Sequence, residues 1–250
     1  MMKTFLWVLV CALCVSKVSA EELKIAVGSS IPPYIIQSEN RGIEYDILKE
    51  TLELAGYRMK ARYVPLARTL AEFRSGRMDG IMSTGLDDLP GCYTNSHITY
   101  RNYAITLKSN NLKIKSIDGL KGKRVIAFQN ASNYLGPNFK DLTKDNGLYR
   151  EIGDQNTQSK MLFTKRADVI IADKYIFQWF SRNFAKNNGT ENPVVTYHEL
   201  FPPSHFRSVF AKQEICDKFN IALKTIKESG RYNEIVRSYG VTVDGDPLVN

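Results

Sequence analysis

Asp173 closes the apolar run ADVIIAD at 167–173, and a carboxylate directly after a buried strand is placed to accept from a ligand in the crevice of an open α/β sheet. Glu44 and Asp46, in IEYDIL, open a helix, where negative charge complements the helix dipole; Glu44 is also placed to meet a cationic group. Arg68, in VPLARTL, is either a surface charge or a planar fork able to grip two oxygens of a carboxylate or phosphate. Tyr34 follows the stiff pair Pro32 and Pro33 and offers a flat ring, to a solute or to its own loop. Ser83 and Thr84 bring hydroxyls to a turn after a strand. In FQNASNY, Gln129 ends a strand and Ser132 starts a helix, where free N–H groups suit an anion and where a serine equally serves as an ordinary cap.

The residue patterns give a hydrolase or metalloenzyme little support. His97, His198 and His205 stand alone, no Ser or Cys lies in a nucleophile elbow, and no metal-ligand spacing occurs. The expectation is therefore no enzyme, no metal and no cofactor.

Strands and helices alternate to position these groups. LKIAVG at 23–28 alternates like a half-buried strand, and Ile43, Ile47, Leu48, Leu52 and Ala55 recur at helical spacing until Gly56. YRMKARYV reads as a strand, LARTLAEFRSG as a short helix and DGIMS as a buried strand, which is the rhythm of parallel βαβ units. The rhythm restarts after residue 102, with strands at NYAITLK, KRVIAFQ and ADVIIAD and helices at SNYLGPNFKDL, TQSKMLFTKR and KYIFQWFSRNF. A last strand, FRSVFAKQE, and two helices, ICDKFNIALKTIKESG and RYNEIVRSYG, form no unit of their own and must pack on an earlier one. No repeat, low-complexity tract or Pro/Gly-rich linker separates the two units.

The N-terminus combines Lys3, an apolar run from Phe5 to Val15 and the small-residue end VSA at 18–20, the pattern of a secretory signal cut after Ala20. That run is about half of the ~20 residues a membrane span needs, so an exported, non-spanning protein is expected. The chain carries a formal charge of +8, of which Lys3 and Lys17 contribute two. The remaining Lys and Arg are scattered among apolar residues, which reads as a solvated face and excludes nucleic acid as the expected partner. Beyond the signal, the cysteines are Cys92 and Cys216, for which an exported protein permits but does not require a bridge.

Five fragments in order resemble one family: GIEYDILKETLELAGY, FRSGRMDGIMS, LKGKRVIAFQNAS, KRADVIIAD and ALKTIKESGRYNEIVRSYG. Across residues 22–240 the chain resembles a periplasmic solute-binding protein of the amino-acid type (family 3), the extracytoplasmic receptor of an ABC importer. The resemblance implies an α/β fold, a two-lobed clamp of the periplasmic-binding-protein type II, each lobe a mostly parallel sheet flanked by helices, with a two-strand hinge near residues 100–104 and 206–210. Residues 1–20 would be the signal peptide, 21–101 with 207–250 lobe 1, and 102–206 lobe 2. Both cysteines then fall in lobe 1, which makes a Cys92 to Cys216 disulfide plausible. The implied protein is a periplasmic monomer whose partners are a small-molecule solute and an ABC permease or, alternatively, a chemoreceptor or sensor kinase. A dehydratase-like enzyme using a crevice carboxylate is a more distant alternative on the same fold.

The resemblance also implies that Asp173 meets the solute's α-ammonium. In typical amino-acid binders the turn after the third strand carries an arginine for the α-carboxylate; here IMSTGLDDLPG places Leu89 in that position, with Asp87 and Asp88 adding negative charge. Either Arg68 supplies the fork instead, or the solute is an amine-bearing compound other than an α-amino acid. The sequons at Asn130 and Asn188 matter only on a eukaryotic secretory route; a glycan on Asn130 would obstruct the crevice that the resemblance implies, which favours a bacterial reading in which they are chance matches.

Overall fold

The computed structural model describes residues 20–28 and 30–241; the signal-peptide reading of residues 1–20 falls almost wholly outside them. The first sheet is built on three parallel strands, β1 (Glu21–Val27), β2 (Tyr57–Tyr63) and β3 (Gly80–Thr84), in the order β2-β1-β3. Short strands β4 (Cys92–Tyr93) and β5 (Ile98–Tyr100) follow. The second sheet takes β6 (Asn102–Leu107), β7 (Val125–Phe128), β8 (Tyr149–Ile152), β9 (Val169–Asp173) and β10 (Val195–His198), in the order β10-β6-β9-β7-β8. Its trio β9-β7-β8 is parallel, β6 runs antiparallel to β9, and β10 runs antiparallel to β6. The final strand β11 (Ser204–Phe210) returns to the first sheet, antiparallel to β3, β4 and β5. The chain thus crosses from sheet to sheet at Arg101 and comes back between His198 and Ser204.

The helices are α1 (Ile43–Leu54), α2 (Leu66–Arg74), α3 (Ala131–Tyr134), α4 (Pro137–Asp145), α5 (Gln155–Phe163), α6 (Lys174–Asn188), α7 (Gln213–Glu228) and α8 (Arg231–Ser238). In α1 the buried positions Ile43, Ile47, Leu48 and Leu52 form one stripe, as their spacing requires. The single helix expected over SNYLGPNFKDL is two: Gly136 at φ 91° breaks it, and Pro137 starts α4 at a position where its missing N–H costs nothing. Strands β4, β5, β8 and β10, each of two to four residues, have too short a pattern to stand out in the sequence.

Helices α7 and α8 pack against the first sheet: Ile215, Phe219, Leu223, Tyr232 and Ile235 share one buried cluster with Leu23, Ile25, Ile47 and Leu52. A disulfide between Cys92 and Cys216, with Cα atoms 6.2 Å apart, ties β4 to α7 across a sequence separation of 124. Closing a loop of that length restricts the unfolded chain by about 5 kcal/mol in the chain-entropy picture. Tyr175 and Ile176, at the start of α6, belong to the same cluster, so the core of the first lobe runs on into the second. Arg182 of α6 extends this contact by donating to the carbonyl oxygens of Gly240, at 2.7 Å, and Tyr239, at 3.4 Å. No helix among the described residues is long and apolar enough to cross a membrane.

Candidate functional site

The two lobes meet around Tyr34. Its loop is fixed by backbone: the N–H groups of Ile43 and Glu44, unpaired inside α1, donate to the carbonyl oxygens of Pro33 and Tyr34 at 2.9 and 3.1 Å. Gly42 permits this approach, because a Cβ there would lie 2.2 Å from the Tyr34 carbonyl oxygen. Tyr34 is fully buried, and its ring stacks on Tyr100 with centroids 4.1 Å apart. Its hydroxyl donates across the junction to Asp173, at 3.1 Å to Oδ1 and 3.2 Å to Oδ2.

Asp173 sits where the sequence places it, at the end of β9, and caps α6. Beyond the tyrosine, it accepts from the backbone N–H of Arg101 at 2.8 Å, of Tyr175 at 2.9 Å and of Ile176 at 3.2 Å. Among the described residues, all four donors are neutral groups. With 3 % of the residue exposed, desolvation outweighs these hydrogen bonds and pushes the carboxyl up to about 6. Burial and the neighbouring Asp173 carboxylate push the Tyr34 phenol well above its ordinary value, so it stays a donor at any working pH.

Glu44 is buried inside the first lobe, not presented to a crevice. It accepts from the Tyr100 hydroxyl at 2.8 Å, and His97 Nε2 lies 3.1 Å from its other oxygen. Its place at the start of α1 adds the favourable end of the helix dipole. Tyr232 donates to the His97 carbonyl at 3.0 Å, linking this network to α8. Asp46, expected as a cap, accepts from the Tyr239 hydroxyl, and burial raises its carboxyl.

The remaining candidates are also engaged. Arg68 is paired with Glu72 one helical turn on, at 2.5 Å, with 69 % of its side chain exposed. Thr84 is buried and its hydroxyl accepts from Leu86 N at 3.0 Å, while Ser83 is half-buried on β3. Leu89, in the place of the clamp arginine, packs with Ala26, Phe73, Met78 and Val209. Gln129 is exposed at the end of β7. Ser132 lies in the first turn of α3, whose cap is Asn130 at φ 65°. Two of the backbone N–H groups there are occupied: Asn130 N donates to Glu151 Oε2 at 2.6 Å and Ser132 N to Glu151 Oε1 at 2.9 Å. The Tyr149 hydroxyl adds a third bond, at 2.7 Å. Burial raises the Glu151 carboxyl, but hydrogen bonds from the Ser132 backbone and side chain, Tyr149 and the Asn130 backbone together outweigh this and hold it below the ordinary glutamate value.

Sequence reasoning read His97 as standing alone, whereas it lies 3.1 Å from Glu44, and gave no role to Tyr100, Glu151 or Arg207. Arg207, on β11 opposite Thr84, pairs with Asp87 and lies 4.4 Å over the ring of Tyr93, so a guanidinium does reach the turn, from the far end of the chain. The spacing of more than a hundred residues left no local signal for it. Two surface cavities, of about 400 Å³ beside Lys123, Arg124 and Lys165 and of about 340 Å³ beside Tyr134, Pro137 and Phe201, include none of Tyr34, Glu44 and Asp173 in their walls. No group of His, Cys, Asp and Glu among the described residues is arranged to hold a metal ion.

The chain is similar to the L-cystine-binding protein TcyA of Bacillus subtilis (strain 168), 25% identical over 203 residues that span 79% of this chain and 72% of that one. Its fold is similar to that of the GluR0 ligand-binding core in complex with L-glutamate, with a TM-score of 0.66 and 14% identity over 88% of this chain and 99% of that one. It is similar also to the amino acid ABC transporter substrate-binding protein AbpA from Streptococcus pneumoniae Canada MDR_19A bound to L-arginine, with a TM-score of 0.61 and 17% identity over 87% and 94% of the two chains. A histidine kinase sensor domain shares the fold with a TM-score of 0.63 and 14% identity, over 88% and 96%. Two sheets flanked by helices and joined by two crossings are the clamp that the resemblance implies, but the return crossing lies at 199–203 and not near 206–210, because β11 already pairs in the first sheet from Ser204. Residues 23–242 match the model of the bacterial extracellular solute-binding proteins, family 3, and the chain belongs to that family.

Proposed function

We propose that this protein is a periplasmic receptor that captures a small amine-bearing solute where its two lobes meet and hands it to an ABC permease. The observation that carries the reading is Asp173, a buried carboxylate at the junction whose donors among the described residues are all neutral. An ammonium group reaching it would supply the missing counter-charge in a place sheltered from water. Lobe 1 would comprise residues 21–101 and 207–250 and lobe 2 residues 102–206, with the solute favouring one relative position of the two. The relatives support the choice of solute: one is described as binding L-cystine and others are bound to L-arginine and L-glutamate. The shared fold of a histidine kinase sensor domain supports a second use of the same capture, presentation to a membrane sensor.

The test is the thermal midpoint of residues 21–250, freed of carried solute, against amino acids, diamines, organic acids and sugars. A binder at a hundred times its dissociation constant adds about 2.7 kcal/mol and raises the midpoint by a few degrees. Responses confined to amine-bearing compounds and lost in Asp173→Ala are expected; responses confined to sugars or organic acids would overturn the reading.

A further inference from the structure

Two of the protein's own side chains occupy groups at the C-terminal ends of the second sheet's parallel trio, and they are unequal as stand-ins for a solute. At the end of β9, the Tyr34 hydroxyl holds the Asp173 carboxylate. The next strand over is β7, about 5 Å away across the sheet, and the Glu151 carboxylate, reaching from β8 beyond it, holds the backbone N–H groups of Asn130 and Ser132 that follow β7. An ammonium displacing the tyrosine replaces a neutral donor by a charged one against a desolvated carboxylate, and the exchange gains a charge pair. A solute carboxylate displacing Glu151 replaces one carboxylate by another on the same N–H groups, and strips Glu151 of the Tyr149 bond as well. That exchange gains nothing and leaves two like charges side by side.

Several arginines that a carboxylate might seek are held by the protein's own acids, Arg101 at the crossing by Glu199 at 3.5 Å among them. Arg68 is held by Glu72, Arg207 by Asp87, and Arg74 lies 3.6 Å from Asp88, while Leu89 is packed in an apolar cluster. We infer that Glu151 is a specificity-determining residue that keeps a carboxylate out of the crevice, so that the solute is an amine without one, a decarboxylated relative of the basic amino acids. This rests on the amine-receptor reading above and narrows it. The site selects by what is already bound: a cation finds its acceptor under-compensated, and an anion finds its donors taken.

Calorimetric titration of matched pairs decides it: cadaverine against lysine, putrescine against ornithine, and agmatine against arginine, on the wild type and on Glu151→Ala. In the wild type the decarboxylated member of at least one pair should bind tenfold or more tighter than its amino acid, and in Glu151→Ala that gap should shrink to about threefold or less. An amino acid that binds as tightly as its amine in every pair overturns the inference and leaves the receptor reading standing. A gap that persists undiminished in a folded Glu151→Ala overturns the role given to Glu151. Heat from no amine of either kind overturns both readings together. Should Glu151→Ala fail to fold, the wild-type pairs alone decide the solute class, and Tyr149→Phe, which removes one of the bonds holding Glu151, replaces it as the test of the residue.

Discussion

Asp173 and Glu151 are both carboxylates at the far ends of strands in one sheet, and both are met by backbone N–H groups and a tyrosine hydroxyl, yet their acidities move in opposite directions. Asp173 rises to about 6, and Glu151 falls below its ordinary value. The donors do not account for the difference, since Asp173 accepts from Tyr34 and three N–H groups while Glu151 accepts from Tyr149 and two. Water accounts for it: Asp173 is 3 % exposed and sealed between lobes, whereas Glu151 is half-buried at a strand end. Donors fix where a carboxylate points, and solvent sets how willingly it stays charged. A carboxylate of the first kind is an unfinished charge pair, and one of the second kind is finished.

The largest expected effect tests the unfinished one. A carboxyl whose folded value is raised contributes stability that is present below its unfolded value and lost as pH rises through the folded value. For Asp173 that window runs from about 4 to about 6, and a shift of some two units corresponds to about 3 kcal/mol. Unfolding by urea should therefore show the wild type gaining stability relative to Asp173→Asn as pH is lowered from 7 to 4. A constant difference between the two proteins across that range would mean that Asp173 is not desolvated. Tyr34→Phe should have the next largest effect, since it removes one donor from a buried carboxylate while keeping the ring stacked on Tyr100. The expected loss is about 1–3 kcal/mol at pH 7, shrinking at pH 5, where Asp173 takes up a proton and needs the donor less. A loss that is the same at both pH values would place the tyrosine's contribution in packing alone.

The same contrast separates what was legible in the sequence from what was not. Asp173 was legible because a buried strand ending in a carboxylate is a local pattern, and the stripe Ile43, Ile47, Leu48, Leu52 announced α1 for the same reason. That the last strand and α7 and α8 must pack on an earlier unit was legible because they form none of their own, and the resemblance assigned them to the first lobe, where α7 and α8 join the core. Glu151 was not legible, because YREI is a strand of four residues whose one significant side chain reaches back to residues 130 and 132. Nor was Arg207, which meets the 84–88 turn only through the antiparallel pairing of β11 with β3. Tyr34 was placed correctly in a loop after β1, but its partner lies 139 residues away, and only the junction of two lobes turns an available ring into a buried donor.

The smallest expected effect tests the finished pair. Glu151→Gln keeps an oxygen for one N–H group and removes the charge, so the fold should lose about 1 kcal/mol at pH 7, where a charge-assisted hydrogen bond becomes an ordinary one. The sign with pH is opposite to that of Asp173. A carboxyl whose folded value is lowered contributes stability above its unfolded value, about 4.3, and loses it as pH falls through the folded value. The wild type's advantage over Glu151→Gln should therefore be full at pH 6 and fade below about 4, over the range in which its advantage over Asp173→Asn is largest. Denaturation curves of the two variants and the wild type at pH 4 and pH 7 would show the two trends crossing. Parallel trends would mean that one carboxylate is not in the state described, and the variant whose trend has the wrong sign identifies which.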